Sequence, residues 1–195
     1  PRVEVGFRPD SLAVFSIGPE RNGYTPERSA ALFDRLEEDL ASIPGVMAVA
    51  TTAVPLLANN GWGSGIEVEG YNASPGENMN ASMNYVSLDF FDAIEMPLVR
   101  GAGFERRSTG DGPRVAVVNE RFVEKFALGE AAIGKRLSAM GSDIDIEIVG
   151  VVRDAKYSAV KQDIPPQVFM LRDEAPFLGA TSFYLRSELG LGALR

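Results

Sequence analysis

The 195-residue sequence contains neither cysteine nor histidine. Without cysteine, disulfides, thiol catalysis and thiolate-bound metals are excluded. Without histidine, the chain lacks the commonest general base near neutral pH and the commonest transition-metal ligand. Any catalysis would depend on carboxylates, lysine, tyrosine or an activated hydroxyl. The composition therefore predicts a protein that is not an enzyme and that carries no cofactor.

The sequence also lacks long apolar runs and an excess of positive charge. No run reaches the roughly 18 apolar residues of a membrane span. The net charge is −8 and the sequence pI is about 4.7. An acidic chain repels phosphates, so nucleic acid is not an expected partner, and an anionic membrane surface is disfavoured for the same reason.

The clearest local pattern is a strand, a helix and a second strand near the N-terminus. Residues 12–17 (LAVFSI) are apolar and β-prone. Thr25 is predicted to cap a helix whose first residue is Pro26, and Pro44-Gly45 ends the helix. The apolar residues 46–54 predict the second strand.

The composition changes at Asn59 and stays rich in Asn, Gly, Ser and Pro up to Asn80. We interpret this change as the entry to a second lobe. The rest of the chain predicts short strands and two short helices, and residues 97–103 are expected to form a turn or an irregular edge. Ser87 and Asn119 are predicted to cap the two helices. The sequence therefore predicts an α+β fold in which strands outnumber helices.

Six phrases occur in an order that is typical of one family. They are IPGV (43–46), VSLDFF (86–91), MPLVRG (96–101), VAVVNERF (115–122), AIGK (132–135) and IVGVVRD (148–154). Together they resemble the periplasmic core domain of MacB-like and FtsX-like ABC permeases, over about residues 12–195. Each phrase alone is unspecific, and the resemblance depends on their order and separation.

The resemblance implies a domain of two lobes. A porter-like βαβ lobe would be built from both chain ends, residues 1–57 and 161–195. A β-rich lobe with short helices, residues 58–160, would be inserted between them. The sequence stops within a predicted helix that starts at Ser187, so we expect the last helix of the porter-like lobe to be truncated.

The resemblance also implies a role in an ABC-type export or mechanotransmission permease. The domain would lie between two transmembrane helices, on the periplasmic face of the bacterial inner membrane. It would couple ATP-driven motion of those helices to a substrate, or to a periplasmic adaptor or other partner protein. The chain has no Walker A sequence, so the ATP-binding subunit would be separate.

Two local features are candidates for binding sites. Trp62, the only tryptophan, fits equally well a partner-contact anchor and a plug at the junction of the lobes. Asp143, Asp145 and Glu147 alternate with isoleucines, so a strand would place all three carboxylates on one face. A solvated strand face explains this pattern better than a divalent-cation site does, and we predict no metal site.

Two other functions fit the composition. An extracytoplasmic small-ligand or sugar-binding sensor module would use a cleft between lobes. A carboxylate-based hydrolase would work without histidine, but no pair of carboxylates stands out, and this function ranks last.

Overall fold

The computed structural model describes residues 6–57, 61–105, 113–156, 163–175 and 179–188. The strands in these residues are Leu12–Ile17 (β1), Val46–Thr52 (β2), Gly63–Val68 (β3), Asn80–Val86 (β4), Leu98–Gly101 (β5), Val115–Asn119 (β6), Arg136–Ala139 (β7), Ile146–Val152 (β8), Gln167–Leu171 (β9) and Thr181–Ser187 (β10). The α-helices are Pro26–Ala41 (α1), Phe90–Ala93 (α2) and Glu120–Lys125 (α3). None of the described helices is long and apolar enough to cross a bilayer.

The first structural unit is a three-stranded antiparallel sheet with the order β1–β10–β2. Helix α1 connects β1 to β2 and covers one face of the sheet. Its start confirms the predicted cap, because the Thr25 hydroxyl oxygen accepts a hydrogen bond from the Arg28 N–H at 3.4 Å. The helix buries Phe33 against Val49, Phe183 and Leu185, so the apolar spacing of α1 matches the face that it covers.

The second unit is a closed ring of strand pairings. Strand β3 pairs with β4, β4 with β9, β9 with β6, β6 with β8, β8 with β7, and β7 returns to β3. These six strands therefore form a barrel. Strand β5 adds to β8 outside the ring, and β2 of the sheet meets β4 at the pair Thr52–Val86.

Alternate residues of the barrel strands point inward, as the two-residue period of a strand requires. This interior set is Ile66, Val68, Ala81, Met83, Tyr85, Ala116, Val118, Leu137, Ala139, Ile146, Ile148, Val168 and Met170. Phe122 of α3 and Phe126, the residue directly after α3, belong to the same core. The Tyr71 ring packs edge-on against Phe126 at 5.3 Å. Lys125 of α3 reaches the Asn80 carbonyl at the start of β4, so α3 closes that end of the barrel.

Asn119 fixes α3 to its neighbours. Its side-chain oxygen accepts hydrogen bonds from the N–H groups of Phe122 at 3.0 Å and Gln167 at 2.8 Å. Its side-chain amide donates to Asp154 at 2.8 Å and to the Pro165 carbonyl at 3.0 Å. The predicted cap is confirmed, and the same side chain also links β6, β9 and the segment after β8.

Sheet and barrel share one apolar core. The sheet contributes Ala50 and Tyr184, α2 contributes Phe90 and its neighbours, and the outer face of the barrel contributes Val117 and Phe169. The ring of Phe90 packs edge-on against Tyr184 at 5.7 Å and lies 6.3 Å from Phe169. Helix α2 is therefore the layer between sheet and barrel.

A buried arginine reinforces the layer between sheet and barrel. The guanidinium of Arg186, in β10, donates to the carbonyls of Ala93 at 2.7 Å, Asp10 at 2.9 Å and Arg8 at 2.8 Å. It also forms an ion pair with Glu95 at 3.3 Å. This one side chain therefore joins the sheet, α2 and the segment that enters β1.

The predicted α+β class is confirmed by the mixed sheet and its short helices. The division into lobes at residues 57 and 161 stays a prediction. Strand β9, which that division groups with the chain ends, pairs with β4 and β6 of the barrel. Ser187, where a terminal helix was expected to start, is the last residue of β10, and residues 189–195 of that predicted helix lie outside the described part.

Of two further local predictions, one was wrong. Ser87 does not cap α2; its hydroxyl oxygen instead accepts a hydrogen bond from the Thr51 N–H at 2.9 Å. The prediction of a turn or an irregular edge at residues 97–103 is confirmed as an edge: β5 lies outside the barrel ring and pairs with β8, with an irregular register between Leu98 and Arg100.

Two glycines with positive φ differ in their surroundings. Gly101 has φ +69°, and a Cβ placed there would lie 2.2 Å from the Val149 carbonyl oxygen. Gly134 has φ +84°, and nothing lies within 4 Å of such a Cβ.

We expect Gly134→Ala to lower the free energy of unfolding by about 1 kcal/mol through backbone strain alone. We expect Gly101→Ala to cost about 3 kcal/mol because the clash adds to the strain. Urea denaturation measures both, and equal losses would contradict this account.

Replacing the buried Arg186 tests the joint between sheet and α2. Arg186→Met leaves three carbonyls without their donor, and we expect the free energy of unfolding to fall by about 3 kcal/mol. Arg35→Met is the control, because Arg35 forms only an exposed ion pair with Asp39 at 3.7 Å; its loss should cost less than about 0.5 kcal/mol. Similar denaturation midpoints for the two variants would exclude the proposed role of Arg186.

Candidate functional site

Trp62 lies at the end of the barrel opposite α3. It immediately precedes β3, and its carbonyl accepts a hydrogen bond from the Met83 N–H at 2.8 Å. Its indole ring stacks on Tyr85 near the end of β4, with a centroid separation of 5.6 Å and an interplanar angle of 26°. The half-buried indole therefore covers the interior core of the barrel at this end.

A polar group lies beneath the stacked rings. The Tyr85 hydroxyl oxygen is buried and makes no hydrogen bond of ordinary geometry to the described residues. Burial raises the pKa of Tyr85, and the nearby Arg114 guanidinium opposes that shift. Arg114 itself forms a long ion pair with Asp145, at 3.7 Å. We call the end of the barrel formed by Trp62, Tyr85, Arg114 and Asp145 the barrel mouth.

The structure locates Trp62 without testing its role. The indole packs on the interior core of the barrel, and not on the core that the sheet and α2 share with the outer barrel face. A partner contact at Trp62 stays a prediction. Sequence reasoning missed Tyr85 and Arg114, because only the register of β4 and β6 brings them to the same end of the barrel as Trp62.

The three alternating carboxylates do not share one strand. Strand β8 begins at Ile146, so Asp143 and Asp145 precede it and only Glu147 lies within it. Asp145 faces a cation that the chain itself supplies, Arg114. Among the described residues, no group of three Asp or Glu side chains is placed to hold a metal ion.

A shallow groove of about 430 Å³ lies beside α3 at the closed end of the barrel. It is lined by Arg121, Glu124, Lys125, Ile164 and Pro166. Arg121 pairs with Glu124 at 2.5 Å, and Lys125 donates to a backbone carbonyl at 2.9 Å. Its charged groups are thus already engaged within the chain, and the barrel mouth is the better candidate for contact with a partner.

Two tyrosines allow the polar part of the mouth to be tested. The Tyr184 hydroxyl oxygen accepts a hydrogen bond from the Leu56 N–H at 2.8 Å, and burial raises the pKa of Tyr184 to about 12. Tyr184→Phe leaves that N–H without an acceptor and should cost about 1–2 kcal/mol of unfolding free energy. Tyr85→Phe should change it by less than about 0.5 kcal/mol, because no well-formed hydrogen bond is lost. Thermal denaturation compares the two, and a large loss for Tyr85→Phe alone would contradict the geometry of the mouth.

The fold is similar to solved structures of transporter domains. The periplasmic region of MacB from Actinobacillus actinomycetemcomitans has a TM-score of 0.59 and 13% identity, over 97% of this chain and 80% of that one. The extracellular domain of YknZ, a noncanonic ABC-type transporter from Gram-positive bacteria, has a TM-score of 0.57 and 13% identity, over 90% and 82%. A domain of a putative permease from Porphyromonas gingivalis has a TM-score of 0.53 and 21% identity, over 78% and 67%.

At these identities the structural similarities show the fold alone. No curated protein matches the chain significantly. Membership is decided by sequence, since the family model described as the MacB-like periplasmic core domain matches residues 4–188. The match covers most of the chain, and the protein therefore belongs to the MacB-like periplasmic core domain family.

Proposed function

We propose that this domain is the extracytoplasmic, non-catalytic part of an ABC-type permease. It transmits ATP-driven movement of the membrane helices to a substrate or partner protein on the periplasmic face of the inner membrane. Family membership supports the location and the class of protein. The coupling role is supported by the attachment of the barrel, through Arg172, to the sheet layer. The sheet layer is the sheet β1–β10–β2 together with helix α1.

The segment that enters β1 and the end of β10 lie side by side. The guanidinium of Arg186 donates to the Asp10 carbonyl at 2.9 Å, and the Ser187 N–H donates to the Ser11 carbonyl at 3.1 Å. A domain inserted between two membrane helices needs its entry and exit close together, and inserted domains commonly have this arrangement. Movement of those helices would therefore reach the sheet β1–β10–β2 first.

Arg172 carries the movement from the sheet layer to the barrel. It directly follows β9 of the barrel, and its side chain is only 10% exposed. Its guanidinium pairs with Asp34 at 2.5 Å and Glu37 at 2.9 Å, both on α1. It also donates to the Thr51 hydroxyl of β2 at 3.0 Å. A single side chain thus links the barrel to a helix and a strand of the sheet layer.

The environment of Glu37 shows how tightly this contact is packed. Burial raises the pKa of Glu37, and the charge and hydrogen bond of Arg172 counteract that rise. A half-buried carboxylate that lost its cation would remain desolvated without compensation. The Arg172 pairing is therefore a fixed part of the structure and not an exchangeable surface ion pair.

The ATP hydrolysis that drives the proposed movement would take place on another chain. The sequence has no phosphate-binding loop of the Walker A type. The proposed partners are accordingly the transmembrane helices of the same permease and a separate ATP-binding subunit that acts through them. A rigid domain that moves as one body suits this arrangement.

Cysteine labelling tests the location. Ala73, between β3 and β4, is exposed, and the chain contains no cysteine that would compete for the reagent. In the full-length permease, Ala73→Cys should react with a membrane-impermeant maleimide in spheroplasts that have not been lysed. Labelling that requires lysis would place the domain in the cytoplasm and disprove the proposal.

Arg172→Met tests the coupling. In the full-length permease with its ATP-binding subunit, we expect transport per ATP hydrolysed to fall several-fold, while the folded domain persists by circular dichroism. Arg121→Met is the matched control, because Arg121 makes an exposed ion pair on α3 with Glu124. Unchanged transport in Arg172→Met, or an equal loss in both variants, would refute the coupling role.

A further inference from the structure

Next to the barrel mouth, one loop holds two large apolar side chains in solvent. This loop, residues 140–145, connects β7 to β8, and we call it the rim loop. Met140 is 42% exposed and Ile144 is 41% exposed. Ile146 and Ile148 continue the alternation of isoleucines and carboxylates that includes Ile144, and both are buried in the barrel. The exposure therefore begins where the strand ends, at the mouth.

Hydrogen bonds fix the rim loop in shape. The Met140 N–H donates to the Ser64 hydroxyl oxygen at 2.9 Å, and the Ser142 N–H donates to the Ala139 carbonyl at 3.1 Å. The Asp145 N–H donates to the Asp143 carbonyl at 2.9 Å. A loop ordered before binding loses little conformational entropy when a partner arrives.

The backbone at Met140 is also unusual. Its φ is +56°, a left-handed conformation that a residue with a long side chain rarely adopts. Strain of this kind persists only where the surrounding structure enforces it, and it is concentrated at functional positions. At Met140 the backbone is held by the hydrogen bond to Ser64, two residues after Trp62.

Acidic groups are interleaved with the apolar ones. Asp143 is exposed between Met140 and Ile144, and the Asp145 side chain is half exposed. Among the described residues, the cation that pairs with one of these carboxylates is Arg114, which lies 3.7 Å from Asp145. At 3.7 Å, and with the Asp145 side chain half exposed, this ion pair is weak, so Asp145 remains able to exchange its partner. The surface therefore combines exposed apolar area with negative charge.

We propose that the rim loop and Trp62 form a docking surface for a basic, amphipathic segment of a partner protein. Met140 and Ile144 would contact the apolar face of the segment, and Asp143 and Asp145 would pair with its lysine or arginine side chains. Trp62 would supply an aromatic edge for the same contact. A chain of net charge −8 attracts such a segment over distance. An anionic membrane surface is repelled by the same charges.

The proposal is tested with the isolated chain, so its outcome does not depend on the coupling role proposed above. Trp62 is the only tryptophan, and its fluorescence therefore reports on the mouth alone. The probe is a synthetic amphipathic peptide of leucine and lysine, about 18 residues long. Its twin has glutamate in place of lysine and the same leucine pattern. We expect a saturable change in Trp62 emission with the lysine peptide, weakened by salt, and none with the glutamate peptide.

The chain offers matched control variants. Met47 is 60% exposed and Ile43 is 39% exposed, and both lie in the sheet layer at the start of β2. Met140→Ser with Ile144→Ser should weaken binding of the lysine peptide about tenfold. Met47→Ser with Ile43→Ser should leave binding unchanged.

A third variant separates the charge from the apolar contact. Asp143→Asn with Asp145→Asn should weaken binding and remove most of its salt dependence. Equal binding of both peptides would overturn the proposal, because charge would then not select the partner. Loss of binding in the Met47 and Ile43 control, or anionic vesicles that change Trp62 emission as the lysine peptide does, would also overturn it.

Discussion

Strand β10 and residues 49–52 of β2 are buried on both faces, and the rest of the structure depends on this double burial. One face meets α1 through Val49, Phe183 and Leu185, and the other meets α2 and the barrel through Ala50 and Tyr184. A strand buried on both faces loses the simple alternation of apolar and polar residues. The residues of β10 are all buried, including Arg186, whose charge is stabilised by three carbonyls and by Glu95.

This arrangement makes the sheet, α2 and the barrel a single body. The shared apolar core resists sliding because packed interiors have little free volume. Arg172 and Arg186 fix the orientation within that body, since each donates to groups on other elements. The segment before β1 and the end of β10 lie in the sheet part of this body, and the barrel mouth lies in its barrel part.

Local signals were the predictable part of the fold. Thr25 with Pro26, and Asn119 before α3, identified two helix starts, because capping depends on residues close in sequence. Ser87 carried a similar signal, but a backbone N–H of β2 forms the hydrogen bond to its hydroxyl. Strand β5 has few buried side chains, so its sequence lacked the pattern of a half-buried strand.

The closure of the barrel and the set of residues at its mouth could not be predicted from the sequence. They depend on pairing between strands that are far apart in sequence, such as β4 with β9, and register of this kind is not encoded locally. Trp62 was identified because tryptophan is scarce in the chain. The outward placement of Ile144 could not be predicted, because the alternation to which it belongs continues into β8 and suggested burial. No sequence pattern indicated the position of Met140.

The proposed coupling requires that the sheet and the barrel move as one body. Spin labels at Met47→Cys in the sheet and Met140→Cys in the rim loop would measure this directly in the full-length permease. Double electron–electron resonance should give the same distance distribution with and without ATP. A shift or a second population of distances upon addition of ATP would show that the barrel moves against the sheet, and would contradict the account.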